Sequence, residues 1–271
     1  MLPLDRPSAF RQRPAFTMSK IVSRTLDFLE VFADQKRPLS ASEIARLLGI
    51  PASSCHDVLQ ALHERGYIYE LTPRGGYYPT LRMYEIAKTI ADHDPVVLRT
   101  DPLLRSLRDA LDESVLLAKM QGLSATYLAS FEPSHPLRFL ATIGQNVRSL
   151  YATSAGKCLL ASLGEAQLRE YLKTAQLIPL TPQTITSKAA LREELETGLQ
   201  RGWFLNREES QEGLTTISAR FVWTSSVYIV TVAGPSSRVA PKLERAAELI
   251  VNVCSLLGST SRATEVQAPS T

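Results

Sequence analysis

The chain is poor in cysteine, in charge imbalance and in long apolar runs. Three cysteines, Cys55, Cys158 and Cys254, lie about a hundred residues apart, with no C-x-x-C pair. That scatter speaks against a disulfide framework or a zinc cluster and suits a reducing compartment. No apolar stretch approaches the ~20 residues that a bilayer-spanning helix needs. Residues 1–18 carry Arg and Pro without a continuous apolar segment, so they do not read as a signal peptide, and the expected location is the cytoplasm. His56, His63, His93 and His135 show no metal-ligand spacing, so no metal and no cofactor is expected. A formal net charge of +3 permits contact with a polyanion without requiring it.

What is present is ordinary globular chemistry in two halves. The chain of 271 residues is 44% hydrophobic and 21% charged, which favours a folded protein of two domains. Residues 1–18 are expected to form a flexible arm and residues 258–271 a disordered tail. Between them, Ser19 can cap a helix that places Val22, Leu26, Leu29 and Phe32 on one face. Ser40-Ala41-Ser42-Glu43 has capping-box spacing and opens a short helix that Gly49 ends. A third helix spans about Ala52–Glu64, followed by "YIYEL", a turn at "TPRGG" and "YYPT", which read as a hairpin. This outline is a winged helix-turn-helix over residues 19–80.

A connecting helix is expected over 81–93. The rest, 94–257, mixes a helix over Pro95–Leu111, strand-like "SVLLAKM", "ATYLASF", "RFLATI", "TTISARF" and "SVYIVTVAG", and helices near 155–163, "EAQLREYLK", "AALREELETGLQ" and 241–257. Strands and helices without strict alternation point to an α+β domain around a mostly antiparallel sheet.

At 100° per residue, Cys55, Val58, Leu59 and Leu62 of the third helix share a core face. Ser53, Asp57, Gln60 and Glu64 point away, with Ser54, His56 and Ala61 on the flanks. Small residues at the start of such a helix let its backbone approach phosphates, and Gln60 is long enough to pair with an adenine edge. The candidate DNA contacts are therefore Ser40, Ser42, Ser53, Ser54, His56, Asp57 and Gln60, with Arg74 and Tyr77 on the hairpin. Seven basic residues over 20–80 are offset by seven acidic ones, so phosphate neutralisation must come from clustering, from a paired copy, or from Arg6, Arg11 and Arg13 of the arm.

"LSASEIARLLGIPASSCHDVLQALHERGYI", "ATSAGKCLLA", "LTPQTIT" and "RGWFLNREESQEG" occur in that order along the chain. With these four segments in register from about Ser19 to Gly258, the sequence resembles the IclR family of bacterial transcription regulators. The resemblance implies a DNA-binding domain, a linker helix and a GAF-like effector-binding domain. It also implies dimers, or dimers paired into tetramers, on a partly palindromic operator, with a small organic or aromatic acid as effector. By position, it carries the effector contacts onto Ser154, Ala155, Gly156, Asn206, Leu214, Thr216 and Thr231. The chain departs from the family at Ala52-Ser53-Ser54, where Lys-Ser-Thr is frequent, at Thr216, where a cysteine is frequent, and at Asn206, where an acid is expected.

Enzyme chemistry finds little footing. Ser154 and Lys157 have the S-x-x-K spacing of serine–lysine acylases, which leaves a small-molecule-processing enzyme as the alternative, but neither S-D-N nor K-T-G occurs. Tyr151 and Cys158 break the phosphate-loop pattern. Lys157 is expected on the exposed side of its helix, and Glu208 and Glu209 in a solvated turn.

Overall fold

The computed structural model describes residues 20–71 and 76–259. The arm, the cap at Ser19, Arg74 with the hairpin tip, and the tail from 260 onward lie outside the described residues. The chain divides into two compact units, Met1–His93 and Asp94–Thr271.

In the first unit, α1 (Lys20–Gln35), α2 (Ala41–Leu48) and α3 (Ala52–Glu64) precede an antiparallel hairpin of β1 (Ile68–Glu70) and β2 (Tyr77–Pro79), then α4 (Arg82–Asp92). The capping box at α2 forms as the sequence predicts: Ser40 Oγ accepts from Glu43 N, and Glu43 Oε2 accepts from Ser40 N at 2.9 Å. Gly49 closes α2 with φ of 63°, a conformation that an L side chain rarely adopts. The core consists of Phe28, Phe32, Leu39, Ile44, Ala45, Cys55, Leu59, Leu62 and Ile68. The α1 face therefore differs from expectation: Phe28 is buried, while Val22 and Leu26 are exposed. Two apolar stripes overlap on that helix, and the aromatic one fills the core.

The second unit is a three-layer sandwich. Five antiparallel strands run in the order β4 (Ser124–Phe131), β3 (Ser114–Gln121), β7 (Ser226–Pro235), β6 (Leu214–Trp223), β5 (Phe204–Arg207). One face packs on α5 (Pro95–Leu111) and α10 (Leu243–Ser259) through Leu104, Leu107, Ile217, Phe221, Val230, Val232 and Ile250. The opposite face receives α6 (Ser154–Leu160), α7 (Glu165–Thr174) and α8 (Lys188–Arg201) through Leu159, Leu160, Leu172, Leu191 and Leu195. A one-turn helix, α9 (Ser236–Val239), and a 3-10 turn precede α10. "RFLATI" forms no strand. Phe139 is held instead by its carbonyl, which accepts from Ser114 Oγ at 2.6 Å. The short strand β5 has too few residues to show an alternation in sequence.

Glu113 is fully buried between Arg238, at 2.7 Å, and Lys242, at 3.1 Å. A Cβ at Gly234 would lie 2.2 Å from its carboxylate, so the glycine leaves room for the charge.

Hydrogen bonds from the Ser40 backbone and hydroxyl, with Arg37 adding a third, hold the Glu43 carboxyl at about 2 against an ordinary 4.5. A depressed folded-state pKa contributes stability above the unfolded value that is lost as pH falls through the folded one. The expected outcome is that amide protection factors in α2 fall relative to α3 as pH drops from about 4.5 toward 2. In Glu43→Gln they are already reduced at neutral pH and change little over that window, measured by hydrogen exchange.

Candidate functional site

Two surfaces carry the sequence-derived residues, one in each unit. On α3 the core side is Cys55, Leu59 and Leu62, as the periodicity predicts, with Val58 half-buried. Ser53, His56, Asp57 and Gln60 are exposed and Ser54 is half-buried. Ser54 and Asp57 line a groove of about 720 Å³ with Arg24 of α1 and Met83 and Ile86 of α4, so the freely open stripe is Ser53, His56 and Gln60. Gln60 donates to Glu64 at 2.9 Å, a bond that it must exchange to read a base. Helix α3 begins at Pro51 with no side-chain cap. Its first amides are thus not taken by a capping side chain. Ser40 is occupied by its capping box, and Ser42 is exposed beside it at 3.1 Å. Tyr77 packs against the core, and its backbone pairs with Leu39, so it belongs to the scaffold of the wing.

In the second unit, a cavity of about 390 Å³ opens on the α6 side of the sheet. Of the seven residues the sequence assigns to an effector, six line it: Ser154, Ala155, Asn206, Leu214, Thr216 and Thr231. Gly156 does not. A Cβ there would meet the Leu150 backbone at 2.5 Å, so the glycine admits a neighbouring loop rather than a ligand. The cap of α6 is Thr153, which accepts from Gly156 N at 3.1 Å, and Ser154 faces inward.

Strand alternation explains the polar floor. Ile217 and Ala219 point to the α10 face, which turns Thr216 and Ser218 toward α6, and the register sets Ser218 opposite Thr231. Ser154 Oγ lies 2.6 Å from Thr216 Oγ1 and 2.8 Å from Ser218 Oγ. Ser218 Oγ in turn lies 2.8 Å from Thr231 Oγ1. Asn206 donates to Ser210 Oγ at 2.9 Å and Thr216 Oγ1 at 3.3 Å, and accepts from the amides of Glu209 and Ser210. Its amide group is therefore occupied inside the protein.

Behind this wall sits a correction. Lys157 is fully buried, not exposed, and Glu209 is buried rather than solvated. Lys157 Nζ donates to Glu209 Oε1 at 2.6 Å and to the Leu205 carbonyl at 2.8 Å. All seven residues of α6 are buried, so the helix has no solvent side on which a lysine could lie. Burial pushes the Glu209 carboxyl above the usual range, and the Lys157 ammonium opposes that push. The Glu209 carbonyl accepts from Thr184 Oγ1 at 2.6 Å, which ties "LTPQTIT" to the same loop. Ser154 and Lys157 are thus engaged with different partners, and the acylase pairing does not form. Burial raises the Cys158 thiol to about 12 and also pushes up Cys55 and Cys254. Among the described residues, no group of three His, Cys, Asp or Glu could hold a metal ion, and no helix is long and apolar enough to cross a membrane.

The sequence reading missed the outer wall: Leu116, Tyr127, Phe139, Leu140, Arg148 and Leu180. The segment from 132 to 150 has no regular structure and so no periodicity to betray its inward residues.

Comparison with known proteins places this geometry in a family. Residues 21–71 match the IclR helix-turn-helix domain, and residues 88–256 match the bacterial transcriptional regulator IclR C-terminal domain. The chain belongs to the IclR family and is a DNA-binding transcriptional regulator. It is 32% identical to the transcriptional regulator Rv1719 of Mycobacterium tuberculosis, over 80% of this chain and 82% of that one. It is 30% identical to the regulator TtgV of Pseudomonas putida, over 82% and 83%. Among solved structures, IclR of Thermotoga maritima matches with a TM-score of 0.72 at 23% identity, covering 88% of this chain and 97% of that one. An IclR homologue of Microbacterium hydrocarbonoxydans, complexed with 4-hydroxybenzoate, matches with a TM-score of 0.72 at 21% identity, covering 90% and 99%. At these identities the structural matches speak for the fold.

Removing one partner of a buried ion pair leaves the other charge uncompensated. Lys157→Met alone is expected to cost about 3–5 kcal/mol in urea unfolding of the full chain. Adding Glu209→Gln to it should recover a large part of that loss.

Proposed function

We propose that this regulator binds a partly palindromic operator as a dimer or a dimer of dimers, with a small organic or aromatic acid in the second-unit cavity as its effector. The observation that carries the DNA reading is the open stripe of Ser53, His56 and Gln60, opposite a core face and beside an α3 N-terminus without a side-chain cap. Backbone amides and hydroxyls there suit phosphates, and the Gln60 carboxamide suits an adenine edge.

Pairing is supported by unpartnered apolar surface within the first unit. Leu81, Tyr84, Ile86 and Ile90 of the linker segment are exposed, as are Val22 and Leu26 of α1. A second copy covering that surface also doubles the cationic groups that a charge-balanced domain brings to DNA. The effector reading is supported by a cavity with apolar walls and a convergent polar floor. The Microbacterium homologue's 4-hydroxybenzoate is a ligand of that size and class. Helix α4, at the junction of the two units, is the element through which occupancy of the cavity would reach the recognition helices. Coupling requires that the effector bind two arrangements with different affinity.

Gln60→Ala is expected to reduce discrimination between operator and random DNA by on the order of tenfold or more. Replacing Arg74, which lies outside the described residues, should weaken both equally and reduce the salt slope. Binding measured by fluorescence anisotropy across a salt series checks both. Affinity independent of ionic strength would remove the DNA-binding assignment for this surface.

A further inference from the structure

Helix α3 carries no lysine and no arginine. Over Ala52–Glu64 the permanently charged side chains are Asp57 and Glu64, so with neutral imidazoles the helix has a charge of −2. A DNA duplex bears one negative charge for about every 1.7 Å of its axis, and affinity follows the phosphates that a protein neutralises. The neighbouring cations do not belong to the open stripe. Arg24 and Arg65 stand with Asp57 around the groove, Arg37 is paired with Glu43 at 3.0 Å, and Arg82 lies over the Tyr67 ring.

Two titratable residues do lie on the open face. His56 and His63 are seven residues apart, close to two helical turns, so they point the same way. Both are exposed, and so are Ser53 and Gln60. His63 therefore extends the stripe to Ser53, His56, Gln60 and His63, about 15 Å from end to end. Neither imidazole makes a hydrogen bond or an ion pair among the described residues.

The ionisable groups around the two rings are few. On α3 itself, Asp57 is turned to the groove and Glu64 accepts from Gln60 at 2.9 Å. Of the elements packed on α3, α2 brings Arg46 and the paired Glu43, and β1 brings Tyr69 and Glu70. Arg65 follows the last turn.

Histidine is the side chain whose charge changes between about pH 5 and 8. An approaching phosphate favours the charged ring, because an opposite charge at short range stabilises the ionised form. The charged ring also has two N–H donors where the neutral ring has one. Two donors suit phosphate oxygens and the paired acceptors N7 and O6 of guanine. With both rings charged, α3 moves from −2 to 0, and a paired copy does the same.

We propose that the DNA-facing stripe of α3 is cationic only by protonation: His56 and His63 take up protons as the helix enters the groove, so DNA affinity rises as pH falls. The proposal rests on α3 being the DNA-reading helix. It adds His63 to that surface and makes the proton a co-ligand of the duplex.

Fluorescence anisotropy of the full-length chain at about pH 8 and about pH 6, each across a salt series, tests this. Two labelled duplexes of about three helical turns serve as probes, one enriched by the chain from a random pool and one unselected. Affinity for both should rise by on the order of tenfold or more at the lower pH. The salt slope should steepen by about one for each histidine charged. The double variant His56→Gln, His63→Gln should lose that rise. His56→Arg should show at the higher pH part of the affinity that the native chain reaches only at the lower one. His93→Gln and His135→Gln, both outside α3, should keep the native profile. The substituted α3 positions are exposed, so folding is not at stake. Salt-dependent binding that is flat between the two pH values, or a rise that survives the double substitution, overturns the proposal and leaves the DNA reading standing. Binding that ignores salt at both pH values overturns the two together.

Discussion

A lysine with no access to water organises the second unit. Once α6 is buried on every side, the Lys157 ammonium must find oxygen inside the protein. It takes the Leu205 carbonyl and the Glu209 carboxylate. That requirement draws β5 and the loop after it against α6. The same loop is then fastened from both directions, by Asn206 to the Glu209 amide at 2.8 Å and by Thr184 to the Glu209 carbonyl at 2.6 Å. Three segments distant in sequence, 152–161, 178–185 and 204–213, become one wall because one charge cannot be left bare. A buried pair of this kind adds little net stability over apolar side chains of the same shape. Its physical contribution is to fix where the wall stands.

The wall encloses a patch that an ordinary sheet would not contain. Central strands β6 and β7 are buried on both faces, and such strands are normally apolar throughout. Here one face keeps that character, with Ile217, Val230 and Val232, while the other presents Thr216, Ser218 and Thr231. Their hydroxyls satisfy one another through Ser154, so the sheet tolerates polarity at its centre without leaving a buried group unpaired. The cavity inherits a floor that is polar, uncharged and rigid.

Much of this was legible in sequence, and the failures have physical causes. The α3 core face emerged from periodicity because the helix is half-exposed, so its apolar and polar residues segregate. Lys157 was misplaced because α6 has no such division, and a rule about charged residues on helices presumes a wet side. Val22 and Leu26 obeyed helical spacing yet lie outside the core, since two apolar stripes overlap on α1 and periodicity alone does not say which one faces inward. Ser154, Thr216 and Thr231 were marked by family resemblance alone. In sequence they are an ordinary helix-start serine and two strand threonines. Arg148 carried no mark at all, because an irregular segment reaches the cavity through tertiary contacts that no spacing records.

The three thiols, each enclosed by apolar side chains and held in the protonated form, bear on what kind of signal can enter the molecule. Peroxide and disulfide chemistry start from an accessible thiolate, and Cys55, Cys158 and Cys254 are all buried. The folded chain thus offers an oxidant no accessible thiol, and chemistry at any of the three would first require local opening of the structure.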